Sequence, residues 1–225
     1  MVMLKLSAED HARVSEAICQ AEAKSDGEII AVCADNSDSY HDVGLHYAVL
    51  AMTAVLALAA AAPQWLQTIY ESLQPWSTEP GPRDLLMILL FVALLAFLAV
   101  LFLLKWMPLR LALTPGSTKT RRVRRRAIML FKAGAERRTI GRTGILIYLS
   151  MGEHRAEIVG DEAITAVTTP ETWGEAMTAL LTEVKAGRPA DGIIAAVGII
   201  GAVLATHFPR SSEDTNEIPD KLIEL

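Results

Sequence analysis

The amino-acid sequence predicts an α/β domain that is split by an inserted transmembrane hairpin. Two apolar runs, Leu45 to Ala62 and Leu85 to Leu104, lie in the first half of the 225-residue chain. One strand-like segment, Glu28 to Ala34, precedes them, and two more follow, Gly144 to Ser150 and His154 to Gly160. The segment before the apolar runs contains only one predicted helix and one strand, which is too little to bury the continuous apolar strand Glu28 to Ala34 on both faces. The segments on either side of the two runs are therefore expected to form one domain.

The two apolar runs are predicted to form a transmembrane hairpin. The run from Leu85 to Leu104 has no charged residue, and a helix needs roughly 20 apolar residues to cross a bilayer core. The run from Leu45 to Ala62 is rich in alanine, which inserts less strongly but allows close packing against a second helix. The alternative is a pair of buried helices in a large soluble domain. A run that is apolar on all sides argues against it.

The charge pattern predicts that both termini are cytoplasmic. Arg83 is the basic residue between the two runs. A basic segment follows the second run: Lys105, Arg110, Lys119, Arg121, Arg122, Arg124, Arg125 and Arg126. Positive residues close to a span stay on the cytoplasmic side, so the chain after Leu104 is placed inside. Two spans return the preceding segment to the same side, as a divided domain requires.

Helices are predicted around the three strands. The first begins at Ser7, which can act as its N-cap with Asp10 three residues on. After the second apolar run, the helices are expected from Ser117 or Thr118 to about Arg138, from Thr169-Pro170 to a C-terminal Gly187, and from Pro189 to about His207. The tail after Pro209 is polar and is expected to be extended.

The final helix has two possible interpretations. Gly192 to Thr206 contains no charged residue. This length of roughly 15 residues is short for a membrane crossing and typical of a buried helix. The sequence favours a core helix, and a third membrane span remains the alternative.

An ordered set of residues outside the apolar runs resembles a known family. The residues in chain order are Ala21-Glu22, Gly27-Glu28-Ile29, Arg126-Ala127, Phe131, Arg142 to Ser150, Glu153-His154-Arg155, Asp161, Trp173, Asp191-Gly192, Phe208-Pro209 and Asn216 to Asp220. This set resembles the TPM domain family, in particular its small bacterial branch with a hairpin inserted after the first strand. The resemblance implies a three-layer α/β/α domain in a bacterial inner-membrane protein. Its parts would be 1–42 and 117–208, with the hairpin region at 43–116 and a tail at 209–225.

Three carboxylates are candidate metal ligands. Asp35 follows the first strand, Asp161 follows the third strand, and Asp191 stands at the start of the final helix. If the two strands are aligned, these side chains converge, and their hard oxygen atoms would suit Ca²⁺ or Mg²⁺. The alternative interpretation is structural, with Asp35 in a turn and Asp191 stabilising a helix N-terminus.

A basic cluster follows the second apolar run, with Arg121, Arg122, Arg124, Arg125 and Arg126. We interpret this cluster as a topology signal and as a surface that contacts anionic lipid. No aromatic residue alternates with these arginines, and the rest of the domain is acidic. Nucleic acid is therefore not expected as a partner.

The sequence is compatible with two functions. The first is a non-catalytic, membrane-anchored module that binds another membrane protein during assembly or maintenance of a complex. The second is a divalent-metal-dependent phosphatase, an activity that the family resemblance also implies. The chain lacks a Cys-x₅-Arg loop and a serine nucleophile motif. The sequence therefore favours the binding module, and no cofactor is firmly indicated.

Overall fold

The structure is a computed structural model that describes residues 6–76, 79–134, 143–169, 171–211 and 220–225. The chain divides into two compact units. The first contains Met1–Asp38 and Gly116–Leu225, and the second is Ser39–Pro115.

The helices in chain order are α1 Ala8–Glu22, α2 His41–Ala61, α3 Gln64–Leu73, α4 Pro82–Leu103, α5 Met107–Leu113, α6 Gly116–Gly134, α7 Glu162–Val167, α8 Thr172–Lys185 and α9 Pro189–His207. The strands are β1 Glu28–Ala34, β2 Gly144–Ser150, β3 Arg155–Gly160 and β4 Leu222–Glu224. The first unit holds all four strands in one sheet of order β3-β2-β1-β4. Strand β1 runs parallel to β2 and β4, whereas β3 is antiparallel to β2.

Helices cover both faces of this sheet. Every residue of β1 and β2 is buried, as continuous apolar strands predict. Alternate side chains point to opposite faces: Ile30 and Leu146 pack against α6, while Ile29 and Ile145 pack with α1, α8 and α9. The first unit therefore has a three-layer α/β/α architecture.

The predicted start of α1 is confirmed by its hydrogen bonds. The Asp10 N–H donates to Ser7 Oγ at 3.1 Å, and the Ser7 N–H donates to Asp10 Oδ2 at 3.0 Å. Gly187 follows α8 with a φ of 79°, the left-handed conformation favoured after a helix C-terminus. Helix α8 begins at Thr172, later than predicted. Pro170 and the predicted end of α6 near Arg138 lie outside the described residues.

Helix α9 buries one face in the first unit. Its buried side chains include Ile193, Val197 and Ile200, which pack in the core with α1 and α8. Among the described residues, α2, α4 and α9 are long and apolar enough to cross a membrane. The buried share of the apolar window is 50% in α9, compared with 17% in α2 and 6% in α4. This burial favours the core-helix interpretation of α9.

The C-terminal residues form a strand that the sequence did not predict. Leu222, Ile223 and Glu224 pair with Ala31, Val32 and Cys33 of β1. Beyond them, the Leu225 N–H donates to the Cys33 carbonyl at 3.0 Å. The expectation of a polar, extended tail after Pro209 was therefore incomplete. A segment of three residues is too short to show the alternation of apolar and polar residues that predicts a strand. Its extended conformation depends instead on pairing with the unpaired backbone groups of β1.

In the second unit, α2 packs against α4. Helix α3, between these two apolar helices, was not predicted. Arg110, one of the basic residues after the second apolar run, has a buried side chain. Its Nε donates to the Leu104 carbonyl at 2.7 Å, just beyond the C-terminus of α4. Arg110 therefore satisfies a backbone acceptor that the end of the helix leaves unpaired.

Candidate functional site

The carboxyl ends of β1 and β2 meet at one edge of the sheet because the two strands are parallel. The loop after β1 is tied to the turn after β2 by two backbone hydrogen bonds. The Met151 N–H donates to the Ala34 carbonyl at 2.9 Å, and the Gly152 N–H donates to the Asp35 carbonyl at 2.8 Å. A Cβ at Gly152 would lie 2.7 Å from the Asp35 carbonyl oxygen. Glycine is therefore required for this close approach.

A polar network, here called the strand-end cluster, forms beside this junction from Ser37, Asp38, Arg122, Tyr148 and Glu153. The Ser37 N–H donates to Glu153 Oε1 at 2.8 Å, and Ser37 Oγ lies 3.0 Å from the Tyr148 hydroxyl. Glu153 is only 5% exposed. Burial raises the pKa of Tyr148, an effect that its hydrogen bond with Ser37 partly opposes. The tyrosine is therefore neutral at physiological pH.

Helix α6 contributes cations to the strand-end cluster. Arg122 forms an ion pair with Asp38 at 3.0 Å, and its side chain is 14% exposed. Arg125 approaches the same carboxylate at 3.5 Å, but its side chain is 74% exposed. The basic stretch is therefore divided, with Arg122 turned towards the cluster and Arg125 towards solvent.

The strand-end cluster is arranged to hold a loop in place. Glu153 accepts from the backbone of Ser37, and its second oxygen lies 3.5 Å from Ser37 Oγ. This is longer than an ordinary O–H···O hydrogen bond, so the shortest contact of Glu153 with Ser37 is the one to its backbone N–H. The cluster fixes the Asp35–Asp38 loop on the end of the sheet.

The predicted metal ligands are not brought together. Because β3 is antiparallel, Gly160 pairs with Ile145, whereas Arg155 pairs with Ser150. Asp161 therefore lies beside the amino-terminal end of β2, whereas Asp35 lies at the carboxyl-terminal end of the neighbouring β1. The separation is about 20 Å for a strand of this length at 3.3 Å per residue. The expected convergence of Asp35 and Asp161 is wrong, since it assumed that both strands run in the same direction.

Asp191 lies in the first turn of α9 and is engaged by two arginines. It forms ion pairs with Arg13 at 2.5 Å and with Arg188 at 3.7 Å. Within the described part of the chain, no group of three or more His, Cys, Asp or Glu side chains is placed to hold a metal ion. Asp191 therefore joins α1 to α9 instead of meeting the other two carboxylates.

Asp161 has a structural role and one unpaired oxygen. Its Oδ1 accepts from the Glu162 N–H at 2.8 Å and caps α7, while its own N–H donates to the Gly144 carbonyl at 2.9 Å. Its Oδ2 is buried and has no hydrogen-bond partner among the described residues. A cavity of about 310 Å³ adjoins this carboxyl, with Phe131 and Lys132 of α6 in its wall.

Sequence reasoning missed a buried carboxyl at the edge of β1. Glu22 Oε1 accepts from the Ile29 N–H at 2.7 Å, at a position that β4 does not reach. Burial raises the pKa of Glu22 to about 9, and the nearby Glu28 and Asp220 carboxyls contribute to the increase. The position of Glu22 near the end of an amphipathic helix gave no signal that it would be buried.

The raised pKa of Glu22 predicts that the first unit loses stability as the pH rises. The unfolded side chain ionises near pH 4.5, whereas the folded one keeps its proton up to about pH 9. The contribution of Glu22 is therefore complete below pH 4.5 and declines between pH 4.5 and 9. We expect Glu22→Gln to raise the free energy of unfolding at pH 8 by about 1 kcal/mol, because the neutral amide removes the cost of keeping Glu22 protonated and partial solvation makes that cost small.

Hydrogen exchange of the β1 amides between pH 5 and 9, corrected for the intrinsic exchange rate, measures this effect. Glu16→Gln is the control because Glu16 is exposed on the same helix. Equal pH dependence in wild type and Glu22→Gln would contradict the assignment.

Comparisons with known proteins agree with this architecture. Residues 112–203 match the family model described as the TPM domain. No curated protein matches the chain. The fold is similar to the NMR structure of the BA42 protein from the psychrophilic bacterium Bizionia argentinensis, with a TM-score of 0.57 and 17% sequence identity. The similarity covers 100% of this chain and 99% of the other, and at this identity it shows the fold alone. The family match over residues 112–203 therefore confirms the resemblance to the TPM domain family for this part of the chain.

Proposed function

We propose that this protein is a membrane-anchored TPM-domain module that binds another membrane protein and supports the assembly or maintenance of a membrane complex without catalysing a reaction. The observation that carries the binding function is an open apolar groove between α8 and α9. The proposed membrane anchoring is supported by the second apolar run and by the basic residues that follow it.

The anchoring is supported by the apolar surfaces of α2 and α4. These helices contain 21 and 22 residues, with a mean hydropathy of 1.9 and 3.3. Leu86, Phe91 and Phe102 of α4 are 65% to 74% exposed. Apolar surface on this scale is unstable in water and suits the hydrocarbon core of a bilayer. We therefore propose two spans, with both termini in the cytoplasm of a bacterial cell.

The binding function is supported by the shape of the groove and by the uncharged segment of α9 that forms one of its walls. It encloses about 660 Å³, with Ile194, Ile199 and Val203 of α9 in its wall and Glu175 of α8 at its rim. Helix α9 has no charged residue between Asp191 and His207. A Cβ on Gly198 would meet no atom within 4 Å, so a partner backbone has room to approach. These features fit the apolar face of a helix from a partner protein.

The proposed absence of catalysis is supported by the hydrogen bonding of the hydroxyl and carboxylate groups and by the protonation of the Cys33 thiol. The strand-end cluster pairs its hydroxyls and carboxylates internally. Burial raises the pKa of the Cys33 thiol to about 12, which keeps this thiol protonated and unreactive at neutral pH. The alternative phosphatase needs a metal site, and Asp35, Asp161 and Asp191 do not share one.

Reporter fusions test the anchoring. Fusions at residues 40, 75 and 225 are expected to report inside, outside and inside, because the basic flank after α4 retains its side in the cytoplasm. A fusion at residue 105 serves as the control for the inner end of the second span. An outside signal at residue 225 would instead make α9 a third span and overturn the proposed topology.

Site-specific photo-crosslinking in native membranes tests the groove. A photo-reactive residue replacing Ala202, which lines the groove, is expected to capture one integral membrane protein. The matched probe replaces Thr178, which is exposed on α8 but does not line this groove. The captured protein should then bind the purified full chain, and Gly198→Leu should weaken that binding. Equal capture from both positions would contradict the proposal.

A phosphatase assay on the purified full chain distinguishes the competing function. Phosphoester hydrolysis that requires Ca²⁺ or Mg²⁺ would overturn the non-catalytic assignment. Loss of that activity in Asp35→Ala, Asp161→Ala or Asp191→Ala would identify the carboxylate involved.

A further inference from the structure

We propose that the outer face of α6 docks on the anionic headgroups of the bilayer and thereby orients the first unit with its α1–α8–α9 layer away from the membrane. This inference rests on the proposed membrane anchoring. It adds a defined lipid-binding surface and an orientation of the domain.

The first observation is a separation of charge across the sheet. All the charged residues of α6, on one face of the sheet, are basic. The charged residues of the helices on the other face are mainly acidic, with Glu9, Asp10, Glu16, Glu175, Glu183 and Asp191 against Arg13 and Lys185. Only the tertiary structure shows that these two sets lie on opposite faces. An anionic surface therefore attracts the α6 layer and repels the opposite layer.

The second observation is the composition of the exposed face of α6. Val123, Ala127 and Phe131 are buried against the sheet. Arg121, Arg125, Ile128 and Lys132 recur at spacings of four, three and four residues, which places them along one helical stripe. Ile128 and Met129 are exposed by 36% and 50%. Exposed cations with adjoining apolar side chains are typical of helices that lie at a lipid interface.

The third observation limits the surface to part of the basic cluster. Arg122 is paired with Asp38 and mostly buried, and Arg126 is only partly exposed and contributes to the electrostatic environment of Tyr148. Arg124 is exposed, but its charge acts on Glu157 of β3. Arg125 also contacts Asp38, but its side chain is 74% exposed.

Helix α6 begins at Gly116, after α4 ends at Leu103. Arg121 lies 18 residues beyond Leu103, within the roughly 15–20 residues over which basic residues act near the end of a span. Arg125 and Lys132 continue the same stripe of α6 further along the helix. Arg121, Arg125 and Lys132 are therefore the proposed lipid-contacting cations.

The test uses the full chain in lipid nanodiscs. A fluorophore is attached at Met129→Cys in a Cys19→Ser background, and its quenching by nitroxide-labelled headgroups is measured. Discs of phosphatidylcholine alone are compared with discs containing about one-third phosphatidylglycerol, an anionic fraction that creates a surface potential. Quenching is expected to increase in the anionic discs and to decrease at high salt. A fluorophore at Thr178→Cys on α8 should show neither change.

Replacing Arg121, Arg125 and Lys132 by glutamine should reduce the docked-to-undocked ratio about fivefold for each charge removed. The charge-matched control replaces Lys24, Lys185 and Lys221, which are exposed cations outside α6. Equal quenching in both kinds of disc, or an equal effect of the two triple variants, would overturn the lipid surface. Extraction of the chain by alkaline carbonate would instead show that the membrane anchoring itself fails, and the inference would fail with it.

Discussion

Gly201→Val is expected to destabilise the first unit by about 3 kcal/mol, because it forces α1 and α9 apart. A Cβ at Gly201 would lie 2.7 Å from the Cβ of Ala21 and 3.3 Å from its Cα. Neither atom belongs to a flexible side chain, so relief requires movement of a helix. Hydrogen exchange of the β1 and β2 amides in the full chain measures the loss.

Gly198→Val is the matched control, one turn earlier on the same helix. A Cβ at Gly198 would meet nothing within 4 Å, and valine has a higher helix propensity than glycine. We expect a change in the free energy of unfolding of less than about 1 kcal/mol, in the stabilising direction. A similar loss in both variants would show that the α1–α9 crossing is not closely packed at Gly201.

Glu153→Ala is expected to cost about 2–3 kcal/mol, because it removes the buried acceptor that holds Ser37. The Ser37 N–H loses its 2.8 Å hydrogen bond, and the surrounding polar groups remain buried without the carboxylate. The expected consequence is faster hydrogen exchange in the Asp35–Asp38 loop and at the ends of β1 and β2.

Glu153→Gln separates the hydrogen bond from the charge. The amide oxygen can still accept from Ser37, so we expect this variant to lose less than half as much stability as Glu153→Ala. Ser37→Ala removes the hydroxyl but keeps the N–H, and it should be milder still. If Glu153→Ala is as stable as the wild type, the strand-end cluster does not hold the loop.

The sequence was sufficient for elements whose signals are local. Strand β2 is a continuous apolar run, and Ser7 with Asp10 forms a capping box, so both could be predicted at the correct residues. The bounds of α9 follow from Pro189 at its start and from the apolar run that it contains. These features depend on backbone geometry and on residues within a few positions of each other.

The candidate site was harder to predict because it depends on strand direction and on distant contacts. The short turn between β2 and β3 implies an antiparallel hairpin, but the expectation of a metal site treated the ends of β1 and β3 as neighbours. The Arg122–Asp38 pair joins residues that are distant in the chain, and neither residue by itself reveals the other as its partner. Glu22 resembles an ordinary helix-end glutamate until β1 and the C-terminal segment cover it.

The amino-acid sequence by itself determined the α/β character of the chain, its two long apolar runs, the basic segment after them and the resemblance to the TPM domain family. These properties are set by composition, periodicity and the order of residues along the chain. Only the tertiary structure decided that Asp35 and Asp161 lie at opposite ends of the neighbouring strands β1 and β2, that the last residues form β4, and that the basic cluster is divided between the interior and the surface. The physical reason is that strand direction, burial and charge pairing depend on which distant segments meet.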